Sequence, residues 1–123
     1  MQSELDRLFN ASLQTWSPVL DVLEDKDNYI VNVEVAGLKR EDITVTIDDG
    51  SLVIAGERKA AILAPETNVQ HTERFYGKFE RVLALPTAVA SDKVKADYKD
   101  GVLTITLPKA EEAKPKQIAV NVT

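Results

Sequence analysis

Apolar and polar residues alternate along much of the chain with a period of two. In Tyr29-Ile30-Val31-Asn32-Val33-Glu34-Val35, the side chains of Tyr29, Val31, Val33 and Val35 share one face, with Asn32 and Glu34 on the other. That is the pattern of a strand with one buried face. It returns in Ile43-Thr44-Val45-Thr46-Ile47 and, after Asp48-Asp49-Gly50, in Ser51-Leu52-Val53-Ile54-Ala55. An Asp-Gly step between two alternating runs predicts a tight β-hairpin. Further strands are predicted from Gly77 to Leu85, closed by Pro86, from Val94 to Tyr98, and from Val102 to Leu107, closed by Pro108. Lys99-Asp100-Gly101 turns the last pair. Short strands set apart by turn signals, with no long amphipathic helix between them, predict an all-β fold. The expected form is a two-sheet antiparallel, immunoglobulin-like β-sandwich over residues 18–108.

Three segments depart from this rhythm. In residues 1–17, Leu5, Leu8, Phe9 and Leu13 recur at spacings of three and four, which predicts a short amphipathic helical arm ending near Trp16, before Ser17-Pro18. Such a helix is marginal alone. It either folds onto its own core or serves as an adhesive arm for other chains. The connection 57–76 is longer than a hairpin needs, which marks function or disorder. Residues 109–123 form a charged, proline-broken extension that ends in the apolar alternation Ile118-Ala119-Val120-Asn121-Val122. A merely solvated tail has no reason to end that way.

Composition narrows the chemistry. A length of 123 residues with 44% hydrophobic side chains suits one core. Acidic residues outnumber basic ones, 20 against 15, and the basic ones are scattered, so the chain lacks the positive surface that a phosphate backbone requires. Without cysteine there is no disulfide, thiolate metal site or thiol nucleophile. The single histidine, His71, cannot build a multi-histidine metal site; a surface role fits it better, with a pH-sensitive edge as a minor alternative. Asp25-Lys26-Asp27 and Asp48-Asp49 read as turn formers, not calcium loops. No phosphate-cradling glycine loop is present, and no nucleophile, base and oxyanion donors converge. The chain is therefore expected to be neither an enzyme nor a cofactor binder. No stretch approaches a membrane span and the first residues lack a secretory pattern, so a cytoplasmic protein is expected.

Several separate segments together resemble the α-crystallin domain of the small heat-shock protein family. Ala36-Gly37-Leu38-Lys39-Arg40-Glu41-Asp42-Ile43 is similar to the family's proline-glycine-leucine turn and the acidic stretch after it, with Ala36 in the proline's place. Glu73-Arg74-Phe75-Tyr76-Gly77-Lys78-Phe79-Glu80-Arg81 resembles its loop end and central strand, and Ala96-Asp97-Tyr98-Lys99-Asp100-Gly101-Val102-Leu103 its alanine-to-glycine-valine-leucine signature. Ile118-Ala119-Val120 is similar to its C-terminal isoleucine-x-isoleucine/valine anchor.

The resemblance implies a homodimer in which Val69, Gln70, His71, Thr72, Glu73 and Arg74, within loop 57–76, form an exchange strand on a neighbouring subunit's edge. Arg81 then lies at the dimer interface, with Glu73 as its expected carboxylate partner; a solvent-reaching arginine is the plainer reading. The resemblance further implies that Ile118 and Val120 link dimers into larger assemblies by entering a groove lined by Ile43, Val45, Val94 and Ala96, each of which could equally be ordinary core. The implied function is an ATP-independent chaperone that binds partly unfolded clients through apolar surface, including Leu5, Leu8, Phe9, Leu13 and Trp16, and passes them to ATP-dependent refolding chaperones. The alternative is a CS-type co-chaperone module docking one defined partner.

Overall fold

In a computed structural model of the chain, residues 16–60, 62–113 and 119–120 are described. Seven strands form among them: β1 (Leu20–Glu24), β2 (Asn28–Glu34), β3 (Ile43–Asp48), β4 (Ser51–Arg58), β5 (Gly77–Ala84), β6 (Lys95–Lys99) and β7 (Val102–Pro108). The order β1-β2-β7-β6 makes one sheet and β3-β4-β5 the other, with every neighbouring pair antiparallel. Six strands stand where alternation predicts them, with ends moved by a few residues. β1 has no predicted counterpart, because Leu23 interrupts the alternation of Leu20, Asp21 and Val22.

The two predicted Asp-Gly turns are two-residue hairpin loops. Asp48 pairs with Ser51 across Asp49-Gly50, and Lys99 with Val102 across Asp100-Gly101. Both loop residues have positive φ in each case, 48° and 76° in the first, 54° and 80° in the second. This backbone matches the right-handed twist of the flanking strands, and aspartate followed by glycine is a pair that tolerates it.

The core lies between the sheets. Tyr29, Val31, Val33 and Val35 from β2 and its end meet Leu52 and Ile54 of β4, Phe79 of β5, and Leu103, Ile105 and Leu107 of β7, all buried. Leu38, in the turn after β2, closes one end. The β1–β2 turn is held by Asp25, whose carboxylate accepts from the backbone N–H groups of Asp27 (2.8 Å) and Asn28 (2.7 Å). Those two bonds hold its carboxyl below the ordinary aspartate range. The acidic pair read as a turn former therefore forms a turn, and no group of three or more His, Cys, Asp or Glu arranged for a metal ion occurs among the described residues.

Candidate functional site: edges, groove and tail

Two sheets of unequal width leave four edge strands, β1 and β6 on one sheet, β3 and β5 on the other. An edge strand offers a row of backbone donors and acceptors to any other strand. Function in this chain is therefore sought at the edges.

Between the edges of β3 and β6 the sheets part into a cleft of about 100 Å3, lined by Ile43 and Val45 of β3, Ala96 and Tyr98 of β6, Leu103 beneath and Arg40 at the lip. Period two explains the lining. Ile43 and Val45 are the inward residues of β3, and Ala96 and Tyr98 sit opposite the buried Ile105 and Leu103 of β7. Tyr98 is fixed by its hydroxyl, which donates to the Val35 carbonyl at 3.0 Å. Three of the four expected groove residues are thus together. Val94 is not among the lining residues: it precedes β6 and packs half-buried against the core. Arg40 and Tyr98 were not singled out as groove residues from the sequence, since an arginine in the turn before β3 and a tyrosine near the end of β6 carry no distinctive spacing.

The expected occupant of that cleft is the tail of another dimer. Val120 is 85% exposed, and Ile118 lies outside the described residues. The root of the extension is firmly held instead. Lys109 N–H donates to the Asp27 carbonyl and Ala110 N–H to that of Ala88, while the buried Lys109 ammonium meets the Glu24 carboxylate at 2.7 Å and lies 5.2 Å from the Tyr29 ring centre. The bond to Glu24 raises the Lys109 pKa, outweighing desolvation. Charge composition alone gives no hint that one lysine of the tail is buried.

On the opposite side, β1 is exposed along nearly its whole length, with Val22 and Leu23 about half open to solvent. The connection from β4 to β5 is exposed as well: Ile62 is fully open to solvent, and Leu63, Val69 and Phe75 are about half open. Residues 69–74 form no ladder within the chain. His71 Nε2 lies 3.1 Å from a Glu73 carboxylate oxygen, and Arg74 donates to the Tyr76 hydroxyl.

Arg81 does lie on the inward alternation with Phe79 and Leu83, opposite Ile54. Its partner within the chain is not Glu73. Arg81 Nη1 donates to the Pro18 carbonyl at 2.9 Å and approaches the Ser17 hydroxyl at 3.4 Å. One neutral carbonyl is enough beside solvent, because Arg81 is only half-buried and its remaining donors can reach water.

Trp16, expected at the end of an arm that either folds onto the core or serves other chains, is half-buried against the sandwich. Its ring meets Phe79 edge-on at 4.9 Å, its indole N–H donates to the Gly77 carbonyl at 2.8 Å, and Arg58 lies over it at 4.2 Å. Arg58 also donates to the carbonyls of Phe75 (3.1 Å) and Ala36 (2.6 Å). Desolvation, with Arg74 nearby, lowers its pKa from the free value. The expected contacts Leu5, Leu8, Phe9 and Leu13 lie outside the described residues.

A family model described as the Hsp20/alpha crystallin family matches residues 21–123. Heat shock protein 16 of Schizosaccharomyces pombe is 39% identical over 117 residues, covering 93% of this chain and 82% of that protein. Small heat shock protein C4 of Rickettsia felis is 35% identical over 105 residues, and there the match spans 85% of this chain but 64% of its length. A solved structure of heat shock protein 16.0 from Schizosaccharomyces pombe superposes with a TM-score of 0.75 at 39% identity, covering 86% of this chain and 99% of that one.

Proposed function

The chain belongs to the Hsp20/alpha crystallin family, the small heat shock proteins, and from that premise we propose that it is an ATP-independent holding chaperone, binding partly unfolded proteins and keeping them from aggregating. The observation that carries the reading is the side-by-side exposure of unpaired strand edges and apolar side chains, chiefly β1 with Val22 and Leu23 and the loop bearing Ile62 and Val69. Unfolding proteins expose the same two features, apolar surface and unpaired backbone. Each can cover the other by burial that needs no shaped pocket and no nucleotide. Held clients are then available to ATP-dependent refolding chaperones.

The same edges support assembly. In this reading, residues 69–74 add to the β1 edge of a second copy, which pairs the open backbone of both segments and covers Val22. Glu73 comes with that segment and can meet the second copy's Arg81. Ile118 and Val120, two residues apart on an extended tail, point to one side and enter the β3/β6 cleft of another dimer. The chain acts in the cytoplasm.

The test is to heat an aggregation-prone client with a stoichiometric amount of the chain, without ATP, and follow light scattering. Suppression of the scattering is expected; an undiminished rise overturns the reading.

A further inference from the structure

The contacts around Trp16 form a site built for one kind of side chain. Phe79 presents its ring edge-on, Arg58 caps the indole face, and the Gly77 carbonyl takes the indole N–H. Tryptophan meets an edge-to-face ring pair, a cation over the π-face and a single acceptor together, with its donor on the ring itself; phenylalanine lacks the donor, and tyrosine carries its donor beyond the ring. Arg58 is also held by the Phe75 and Ala36 carbonyls, independently of Trp16. The seat is therefore organised before anything enters it.

Its present occupant is loosely kept. Trp16 is only half-buried, and beside it lies an open cleft of about 630 Å3 bordered by Ala55, Gly56, Lys78, Phe79 and Glu80. Residues 16–18 belong to no strand, so lifting them breaks no ladder bond, only the side-chain bonds from Arg81 to the Pro18 carbonyl and the Ser17 hydroxyl; the first backbone bond to the sheet after them is from Glu34 N–H to the Val19 carbonyl. Lifting Trp16 uncovers Phe79, otherwise 4% exposed.

We propose that this seat is an exchangeable binding site for a tryptophan side chain on an extended apolar segment of an unfolding protein, with Trp16 as its tethered resident. The identification of the incoming segment as an unfolding client rests on the chaperone reading; the exchangeable seat itself does not. Warming lifts the resident and frees the site, so exposure of the seat rises when clients appear.

Trp16 is the only tryptophan, so its emission reports the seat without interference. The probe is a dye-labelled peptide with the sequence of residues 13–20, beside a copy in which its tryptophan is alanine, added to the full chain and followed by anisotropy. W16A is expected to bind the tryptophan peptide at least tenfold more tightly than the unchanged chain at 25 °C, and R58A in the W16A background to remove that gain. In the unchanged chain, binding should increase on warming in step with a red shift of Trp16 emission. Equal affinity of W16A and the unchanged chain, or of the two peptides for W16A, overturns the proposal. If W16A loses its strand signal in circular dichroism, W16F replaces it. The tryptophan peptide should then compete better than a phenylalanine peptide, and equal competition overturns the proposal. A chain that binds the peptide but fails to suppress aggregation refutes the chaperone reading and leaves the seat standing.

Discussion

At the scale of single residues, Gly56 shows how an atom that is absent can matter to packing. A Cβ at Gly56 would lie 2.5 Å from the Asp42 carbonyl oxygen and 2.8 Å from the Phe79 ring. Neither neighbour can give way cheaply, since one is backbone and the other is a ring packed in the core. Gly56→Ala is expected to destabilise the fold by about 1–3 kcal/mol, the usual cost of overpacking, measured by chemical denaturation. Lys109 makes a second residue-scale claim. Its pKa is raised in the folded state, so the protonated form is favoured there. Its contribution is therefore complete below the unfolded lysine pKa and is lost as pH rises through the folded value. The melting temperature of Lys109→Met should fall below that of the parent at neutral pH, and the gap should narrow on approach to strongly alkaline pH. A gap unchanged with pH would mean that packing, not charge, is what Lys109 supplies. Neither residue is legible in the sequence: a glycine inside a strand and a lysine after a proline look ordinary until a partner far along the chain is known. Arg81 was legible as an inward arginine, but not its bond to the Pro18 carbonyl, because backbone acceptors leave no mark in side-chain patterning.

At the scale of elements, period-two alternation located β2, β3, β4, β5 and β7, since each turns one face to the core, and β6, which turns only Tyr98 to it, while aspartate-glycine located two turns through their positive φ. It missed β1 for the same reason that β1 matters. β1 buries little of either face, so its side chains are free of the alternation that burial imposes on the edge strands β3 and β5. The same physics made the groove partly legible, because Ile43, Val45 and Ala96 lie inward, whereas Val94 precedes its strand and turns to the core. If residues 69–74 pair with a neighbour's β1, Thr72→Pro removes a ladder donor and Val22→Lys places a charge on the covered edge. By light-scattering mass analysis, each should yield a species near the 13.6 kDa of one chain. Charge reversal at Arg81 or Glu73 should do likewise, with the double reversal restoring the dimer. Dimers from all four single variants would place the interface elsewhere. Removal of residues 117–123 should spare the dimer and reduce only larger species.

At the scale of the whole molecule, a small sandwich combines a closed core with open borders. The core requires nothing from outside, whereas β1, the long loop and the tail present surface that a solitary domain would cover. If the chain assembles and binds clients as proposed, both draw on one limited set of edges, and occupancy by one partner would exclude the other at each edge. The central claim is that these edges hold unfolding proteins without nucleotide. Its most direct measurement is size-exclusion chromatography with light scattering of the chain and a heat-sensitive client, mixed at equal concentration, heated without ATP and cooled. A soluble peak containing both proteins, larger than either alone, is predicted. Client recovered only in the pellet, with the chain eluting as it does unheated, would contradict the account.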